Sequence, residues 1–555
     1  MAAAIGRSFT FALLQRISRS ESDALIPLIE EWTQRGLVYE SEDGYDFRHD
    51  QFRQVAYARL SRARREYTHR QIADALGDSI PRADAASLAY HYTRSDQPLK
   101  ALPHLTQAGE QALRLRSYHE ARQFGQQAVS LLGQMPGPGQ RAERVDVNLQ
   151  LAQAYAFAGD LGRAIEILNQ TESMAAALGD EARLGQVFRR AAQFFWLRGQ
   201  PQPASDYAHR ALRVAEERED PDLLYASLRM LGRVSIALAA FDDAIAHLVR
   251  YVNQADDVGS LRPPPEDLPI VLGYLGIAYS RVGAWERAYQ SARRGLELAE
   301  ARSAGTPGSS VTFARMQLAM IQAGDQSWQD CVKTLAPLIP LMEPETITPP
   351  LYMALSLYGL AQAHLGKTAD GISRLQTAIA WAEENHYRVF DYLPRLFLSE
   401  SLLLGGKIER ARQEVERALA DARQAGDRWA TGVGLKLLAD IRIRQTEPAW
   451  MEIENLLVES MRLLRQIRAR ADLARTYLSM RRLYDRAGQI AWAVDCHFRA
   501  TTIFDELGMP EELRQAQGQA GGERRGAVVI PNLPLKGPNI ALDEAEAKAQ
   551  KKRPQ

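Results

Sequence analysis

Residues 272–299 read LGYLGIAYSRVGAWERAYQSARRGLELA, a stretch in which small and large side chains follow a fixed spacing. Counted from Gly276, the notable positions are Tyr279 at +3, Gly283 at +7, Trp285 at +9, Ala288 at +12 and Ala292 at +16. Apolar residues recur every three to four positions on both sides of Gly283, which predicts two amphipathic helices joined by a turn. The small residues predict close packing of the pair, because helices approach only where the side chains between them are short.

The same spacing recurs along most of the chain. The other anchor positions, 40 to 44 residues apart, are Gly109, Ala152, Ala192, Gly232, Ala319, Gly359, Ser399, Arg481 and, with a small insertion, Ala439. The pattern resembles the tetratricopeptide repeat, whose usual period is ~34 residues, and the extra residues imply longer helices or turns. We therefore predict an all-α fold, a tetratricopeptide-type α-solenoid superhelix.

One stretch inside the array matches the phosphate-loop pattern of nucleotide-binding proteins. Residues 361–368 read AQAHLGKT, and in a phosphate loop the backbone N–H groups, the Lys and the hydroxyl hold phosphates and Mg²⁺. Here Gly366 is the +7 residue of the repeat anchored at Gly359, and a helical pattern precedes it. The spacing predicts that Lys367 and Thr368 belong to a turn between two helices. We expect no ATPase activity from this stretch.

Composition narrows the function classes further. The 555 residues include 68 basic and 68 acidic side chains, so no net charge attracts the chain to nucleic acid or to an anionic membrane. Its two cysteines, Cys331 and Cys496, exclude a disulfide framework or a zinc ribbon. We expect a cytoplasmic protein without a cofactor, although the first 19 residues also have the composition of a transit peptide.

The first 130 residues resemble a particular family. The segments at 4–18, 32–40 and 45–76 are similar to the winged-helix segment that follows the ATPase module of STAND-type signalling regulators, and residues 88–113 are similar to the start of their helical array. The residues themselves read as two helices, a β-hairpin with an Asp-Gly turn and a further helix. The resemblance therefore implies a small winged-helix-like domain in front of the repeats.

The chain departs from that family in one respect. No phosphate loop of its own is found, so the resemblance implies an ATPase module in cis or in trans, encoded upstream in frame or in an adjacent gene. Only five residues precede the Gly6-Arg7-Ser8-Phe9 segment, where a full helix is expected. We expect this shortage to leave four apolar side chains partly without partners, those of Phe11, Leu14, Ile17 and Leu28.

A DNA-binding regulator is the alternative function. The candidate recognition helix, residues 20–36, carries Glu21, Asp23, Glu30 and Glu31 against Arg35 alone, which is the wrong sign for phosphates. An ATPase is the third and least favoured alternative. The preferred interpretation is a non-catalytic sensor or scaffold that binds a protein, a peptide or a small effector in the repeat groove and relays occupancy to an ATPase-type partner.

These interpretations give the following boundaries and candidate residues. We predict a winged-helix-like domain at 1–82, first helical repeats at 83–140, a tetratricopeptide-like array at 141–513 and a disordered tail at 514–555. In the tetratricopeptide family the first helices of successive repeats line the concave wall. Equivalent offsets then place two sets of residues side by side as a candidate partner-binding patch: Arg189, Gln193 and Trp196, and next to them Arg229 and Arg233. No catalytic, cofactor or metal residues are predicted.

Overall fold

The computed structural model describes residues 1–78, 84–134, 139–257, 265–303, 309–342, 347–445, 448–519, 535 and 537. The chain divides into two compact units, Met1–Arg190 and Ala191–Gln555. None of the described helices is long and apolar enough to cross a membrane.

The first unit begins with short helices and strands and continues into the repeats. Its strands are β1 (Ser8–Phe9), β2 (Val38–Ser41) and β3 (Gly44–Phe47). Its helices are α1 (Ala2–Ile5), α2 (Phe11–Ser18), α3 (Ser22–Gln34), α4 (Asp50–Ala58), α5 (Arg62–Gly77), α6 (Ala85–Thr93), α7 (Leu102–Arg114), α8 (Tyr118–Gly133), α9 (Gly139–Phe157) and α10 (Leu161–Leu178), with a 3₁₀ helix at Pro98–Ala101. Helix α11 (Glu181–Leu197) runs across the boundary into the second unit.

In the described part of the second unit, all regular secondary structure is helical. The helices are α12 (Pro201–Glu217), α13 (Pro221–Ala237), α14 (Phe241–Asp257), α15 (Leu268–Arg281), α16 (Trp285–Arg302), α17 (Ser309–Gly324), α18 (Trp328–Leu335), α19 (Pro349–His364), α20 (Thr368–Glu384), α21 (Tyr392–Leu404), α22 (Ile408–Ala425), α23 (Arg428–Ile443), α24 (Trp450–Gln466), α25 (Arg470–Arg486), α26 (Ile490–Glu506) and α27 (Pro510–Gln519), with a 3₁₀ helix at Ala336–Leu341. The predicted all-α solenoid is confirmed.

The predicted hairpin is part of a three-stranded antiparallel sheet. Strands β2 and β3 pair with Val38 opposite Phe47, and the short strand β1 adds to the other side of β3 with Ser8 opposite Asp46. Strand β1 was not predicted from the sequence. The first part of the chain therefore has the order helix, strand, two helices and hairpin.

The expectation of an unfilled N-terminal core is wrong for two of its four residues. Leu14 and Ile17 are 2% and 1% exposed, because α1 and α5 supply the missing partners: Ala2 packs in the cluster of Leu14, and Ile72 in that of Ile17. Phe11 is half-buried and Leu28 is exposed.

Every anchor of the sequence pattern lies on the first helix of a helix pair. The ten pairs run from α7 and α8, which hold the anchor Gly109, to α25 and α26, which hold the anchor Arg481. The predicted packing is also present, because a β-carbon added at Gly276 would lie 2.8 Å from the carbonyl oxygen of Ala288 and 3.2 Å from the β-carbon of Ala292. Positions 0, +12 and +16 therefore meet between the two helices of a repeat.

The turns follow the pattern as well. The described +7 positions all have positive φ angles, including the non-glycine residues among them: Arg116, Gly159, Gly199, Ala239, Gly283, Gln326, Gly366, Gly406 and Gly488. The tenth +7 position, residue 446, lies outside the described residues. The left-handed turn thus favours glycine at +7, because the three other residues there, Arg116, Ala239 and Gln326, adopt positive φ angles at a steric cost.

Helix α27 includes the first six residues of the segment 514–555, for which we predict disorder. Apart from residues 535 and 537, the remainder of that segment lies outside the described residues.

Helices far apart in the sequence meet within the second unit. The guanidinium of Arg281 on α15 lies 3.6 Å from the ring centre of Trp429 on α23. The Nη2 of Arg475 on α25 donates a hydrogen bond of 2.6 Å to the carbonyl oxygen of Gly324 at the end of α17. The first helices of well-separated repeats are thereby held around a common interior.

Candidate binding cavity in the second unit

The Gly-Lys-Thr pattern lies at the turn between α19 and α20. Thr368 is the first residue of α20, and the N–H of Lys367 donates to the carbonyl oxygen of Gln362 at 2.9 Å. Gly366 adopts the left-handed conformation that the turn requires, with a φ of +87°. A phosphate loop connects a β-strand to a helix, whereas α19 precedes this pattern. The pattern is therefore a repeat turn, as its spacing predicts.

A cavity of about 90 Å³ lies in the interior of the second unit. The first helices of successive repeats form most of its wall, and the segment 387–390 between α20 and α21 forms another part. Its aromatic lining residues are Trp196, Phe241, Tyr274, Phe313, Tyr352, Tyr387, Phe390 and Trp429. Its methionines are Met316, Met320 and Met353, and its charged residues are Arg233, Arg281 and Asp427.

The segment 387–390 enters the interior because the chain turns sharply on both sides of it. His386 and Phe390 have φ angles of +51° and +56°, and the N–H of Tyr387 donates to the carbonyl oxygen of Ala382 at the end of α20. The ring of Phe390 then lies edge-on to Trp196, with 5.5 Å between the ring centres. The segment thus connects two parts of the cavity wall that are almost 200 residues apart in the sequence.

Both arginines of the cavity lie against aromatic rings. The guanidinium of Arg233 is 4.7 Å from the ring centre of Trp196 and 5.6 Å from that of Tyr274. Arg281 lies against Trp429 in the same way. Cation–π contacts of this kind stabilise a partly desolvated guanidinium and keep its plane in a fixed orientation. The cavity wall therefore presents fixed positive charge beside apolar rings.

Two polar atoms of lining residues have no hydrogen-bond partner among the described residues. They are Nε of Arg233 and the hydroxyl of Tyr352, a side chain that is only 1% exposed. Burial raises the pKa of Tyr352 well above its ordinary value, so the hydroxyl keeps its proton and remains a donor. A buried donor without an acceptor is unfavourable, so these two atoms are exceptions to the usual pairing of buried polar groups.

Asp427 supplies the acidic part of the wall. It caps α23 by accepting from the N–H of Ala430 at 2.9 Å, and it accepts from the hydroxyl of Tyr392 at 2.9 Å. Burial raises the pKa of Asp427 to about 6, against the opposing effect of those hydrogen bonds and of Arg281. Burial also lowers the pKa of Arg281, an effect that Asp472 and Asp427 oppose. Asp427 and Arg281 therefore each favour the charged form of the other, whereas burial disfavours both charged forms.

The structure places the five residues of the candidate partner-binding patch in different surroundings. Trp196 and Arg233 line the cavity, and the guanidinium of Arg233 lies over the ring of Trp196. Gln193 is half-buried and lies outside the lining, and Arg229 forms an ion pair of 2.9 Å with Asp267. Arg189 belongs to the first unit, where its Nε donates to the side-chain oxygen of Gln186 at 2.9 Å.

The remaining cavity residues were not predicted. Tyr352, Tyr387, Phe390 and Asp427 come from repeats far along the chain, and a repeat pattern does not say which distant repeats meet. The positive φ angles of His386 and Phe390 were not predicted either, because neither residue is a glycine, the usual sequence signal for such an angle. No group of three or more His, Cys, Asp or Glu side chains in the described ranges could hold a metal ion.

No protein-family model and no curated protein matches the sequence. Solved structures with similar folds include a Rap protein in complex with competence and sporulation factor, which is 14% identical, with 74% of this chain and 99% of that chain covered and a TM-score of 0.45. A STAND protein from Pyrococcus horikoshii with a tetratricopeptide repeat sensor is 12% identical, with 76% and 62% covered and a TM-score of 0.42. The apo quorum sensor NprR from B. thuringiensis is 12% identical, with 65% and 99% covered and a TM-score of 0.41. At this level the similarity concerns the helical-repeat architecture alone.

Proposed function

We propose that the second unit is a non-catalytic sensor or scaffold whose cavity binds a peptide or a small effector. One observation carries this proposal: an interior cavity is walled by aromatic and methionine side chains, and two of its lining residues, Arg233 and Tyr352, each have an unpartnered polar atom. Apolar pockets with a few convergent polar groups are the usual form of ligand sites. Methionine side chains are flexible, so the wall is able to adjust to the occupant.

The dimensions and the charges indicate the chemistry of the ligand. A volume of about 90 Å³ is smaller than the ~150 Å³ cavity that accepts benzene, so the ligand inserts one aliphatic side chain or a group of similar size. The unpartnered Nε–H of Arg233 and hydroxyl of Tyr352 are hydrogen-bond donors, which favours an acceptor next to that apolar group, such as a carboxylate or a main-chain carbonyl. We retain Trp196 and Arg233 as proposed binding residues.

A random heptapeptide library selected on the full chain tests the proposal, with the enriched peptides titrated by calorimetry. Tyr352→Phe keeps the ring and removes the hydroxyl, so it should weaken binding roughly tenfold. Ile277→Phe fills the cavity from its wall and should abolish binding. Arg250→Ala changes an exposed ion pair with Glu216 outside the cavity and serves as the control.

Two results would contradict the cavity as the binding site. One is a set of enriched peptides that bind the Ile277→Phe variant as tightly as the parent, with the fold of the variant verified by circular dichroism. The other is the absence of any enriched peptide, together with no change in tryptophan fluorescence when short branched-chain carboxylates are added.

We further propose that occupancy of the cavity is relayed to an ATPase-type signalling partner. The support is the resemblance of the segments at 4–18, 32–40 and 45–76 to the region that follows the ATPase module in STAND regulators. The DNA-binding alternative is not favoured, since Asp23, Glu30 and Glu31 on α3 are exposed. ATP hydrolysis by an ATPase encoded beside this gene, measured with and without the protein, tests the relay. An unchanged rate would remove the relay and leave the cavity as a binding site.

A further inference from the structure

A pocket between α24, α25 and α26 holds two residues of the chain's own C-terminal segment. Leu535 is 8% exposed and joins the hydrophobic cluster that includes Leu457 of α24 and Tyr484 of α25. The N–H of Gly537 donates a hydrogen bond of 3.1 Å to Oε1 of Glu454 on α24. One apolar side chain and one backbone donor, two residues apart, therefore anchor the segment.

The polar part of the pocket is built around a buried carboxylate. Glu454 is 3% exposed, and its Oε1 also accepts from the hydroxyl of Tyr484 at 2.8 Å. A buried acceptor of this kind favours a partner that supplies an N–H at one fixed place. The backbone N–H of Gly537 supplies it, so the contact depends on the position of the main chain rather than on a side chain.

The ring of Trp492 on α26 explains why the donor residue is glycine. A β-carbon at Gly537 would lie 3.0 Å from Cε2 and 3.1 Å from Cζ2 of that ring. The φ angle of Gly537 is +80°, which other residues rarely adopt. Tyr484 holds the indole in place through an edge contact with 5.3 Å between the ring centres. The pocket therefore accepts a leucine followed, after one residue, by a glycine.

We propose that this pocket is a recognition site for Leu-x-Gly segments and that Leu535 and Gly537 occupy it as a displaceable intramolecular ligand. Two anchor residues make a weak contact on their own. A tether raises the local concentration of such a ligand to about the millimolar range, so weak binding is sufficient to keep the pocket occupied. The segment thus competes with any Leu-x-Gly segment offered in trans.

The test uses the full chain and a fluorescein-labelled peptide with the sequence of residues 531–541, PNLPLKGPNIA. The double variant Leu535→Asp/Gly537→Val displaces the tethered segment and should bind the peptide at least tenfold more tightly than the parent chain, as measured by fluorescence polarisation. The control peptide carries the Gly537→Ala change and should bind at least tenfold more weakly than the unmodified one. A third chain adds Glu454→Gln to the double variant and should lose affinity for the unmodified peptide.

Three outcomes would overturn the proposal. Equal affinity of the parent chain and the double variant means that the tethered segment does not compete for the site. Equal affinity of the two peptides means that the space beside Trp492 does not select glycine. No binding to a double variant that melts at the parent's temperature means that the pocket does not recognise the segment. If the double variant melts much lower, the single variant Leu535→Ala, which keeps the hydrogen bond of Gly537, takes its place with the same expectations.

Discussion

Gly276 is a residue at which a missing side chain determines how closely two helices pack. Besides the carbonyl oxygen of Ala288, an added β-carbon would meet Cδ1 of Ile321 at 2.9 Å, and that atom belongs to the next repeat. The anchor position therefore controls the packing inside its own repeat and against its neighbour. Because both contacts require a small residue at this position, the anchor could be recognised from the sequence alone.

We expect Gly276→Leu to lower the free energy of unfolding by about 1–3 kcal/mol or more, because the added side chain forces the helices apart. Gly324→Ala is the matched control in the same unit, since its β-carbon would meet only Trp285, at an ordinary distance of 3.6 Å. Urea-induced unfolding followed by circular dichroism measures both. Equal stability of the two variants would mean that the packing at Gly276 tolerates a side chain.

Asp427 gives the stability of the second unit a defined dependence on pH. Its pKa is raised to about 6 by burial, so between about pH 4 and pH 6 the folded protein binds more protons at this site than the unfolded chain does. The contribution of Asp427 to the free energy of unfolding therefore falls as the pH rises through this window. It is largest at low pH, where the carboxyl group is protonated in both states.

Asp427→Asn should remove that dependence while keeping a side chain that caps α23. The stability of the parent minus that of the variant is expected to fall by up to ~3 kcal/mol between about pH 4 and pH 6, and to stay constant above about pH 7. Thermal melts of both proteins at a series of pH values measure the difference. A difference that is independent of pH, or that rises with pH, contradicts the assignment.

At the scale of helices and turns, the sequence predicted every repeat pair because each pair contains several small residues at fixed distances. It missed β1, a strand of two residues, since alternation needs a longer run to be visible. It also missed a second series of left-handed turns, which close the second helix of several repeats. Their residues are Gly179, Glu219, His386, Gly426, Arg468 and Gly508, and the three that are not glycine conceal the pattern.

The turn between α19 and α20 yields a prediction that separates its two interpretations. If the turn only joins the helices, Gly366→Ala should lower the free energy of unfolding by roughly 1–2 kcal/mol, because φ is +87° there. Lys367→Ala should leave stability unchanged, since its side chain makes no capping hydrogen bond. Neither variant nor the parent should bind a fluorescent ATP analogue. Saturable binding that Lys367→Ala abolishes would restore the phosphate-loop interpretation.

At the scale of the whole second unit, the candidate cavity shows the limit of sequence reasoning. Trp196 and Arg233 were predicted together because they occupy neighbouring repeats, and the period of the pattern fixes their distance. Trp429 and Phe390 were not, because they reach the same cavity from repeats about five units further along the chain. The small rotation from each repeat to the next decides which distant repeats meet, and no single residue encodes it.

Those distant contacts also change how the array is expected to unfold. In an ideal repeat array each unit contacts only its neighbours, and a local change destabilises only the adjoining units. Here Trp429 of α23 contacts Arg281 of α15, and its Nε1 donates to Oδ2 of Asp472 on α25 at 2.7 Å. Trp429 also packs against the cluster that includes Phe241 of α14. The loss of this side chain should therefore lower the local stability of repeats far from its own.

Trp429→Ala should lower the protection of backbone amides against hydrogen exchange in α14 and α15, as well as in α23 and α25, and should cost about 3 kcal/mol of stability. Trp328→Ala is the matched control. Trp328 stacks on His364 of the adjoining repeat with 4.0 Å between the ring centres, so its loss should affect only α17 to α20. Mass spectrometry after exchange locates both effects. If Trp429→Ala leaves α14 and α15 fully protected, the second unit behaves as a nearest-neighbour array, and the contacts across its interior do not couple distant repeats.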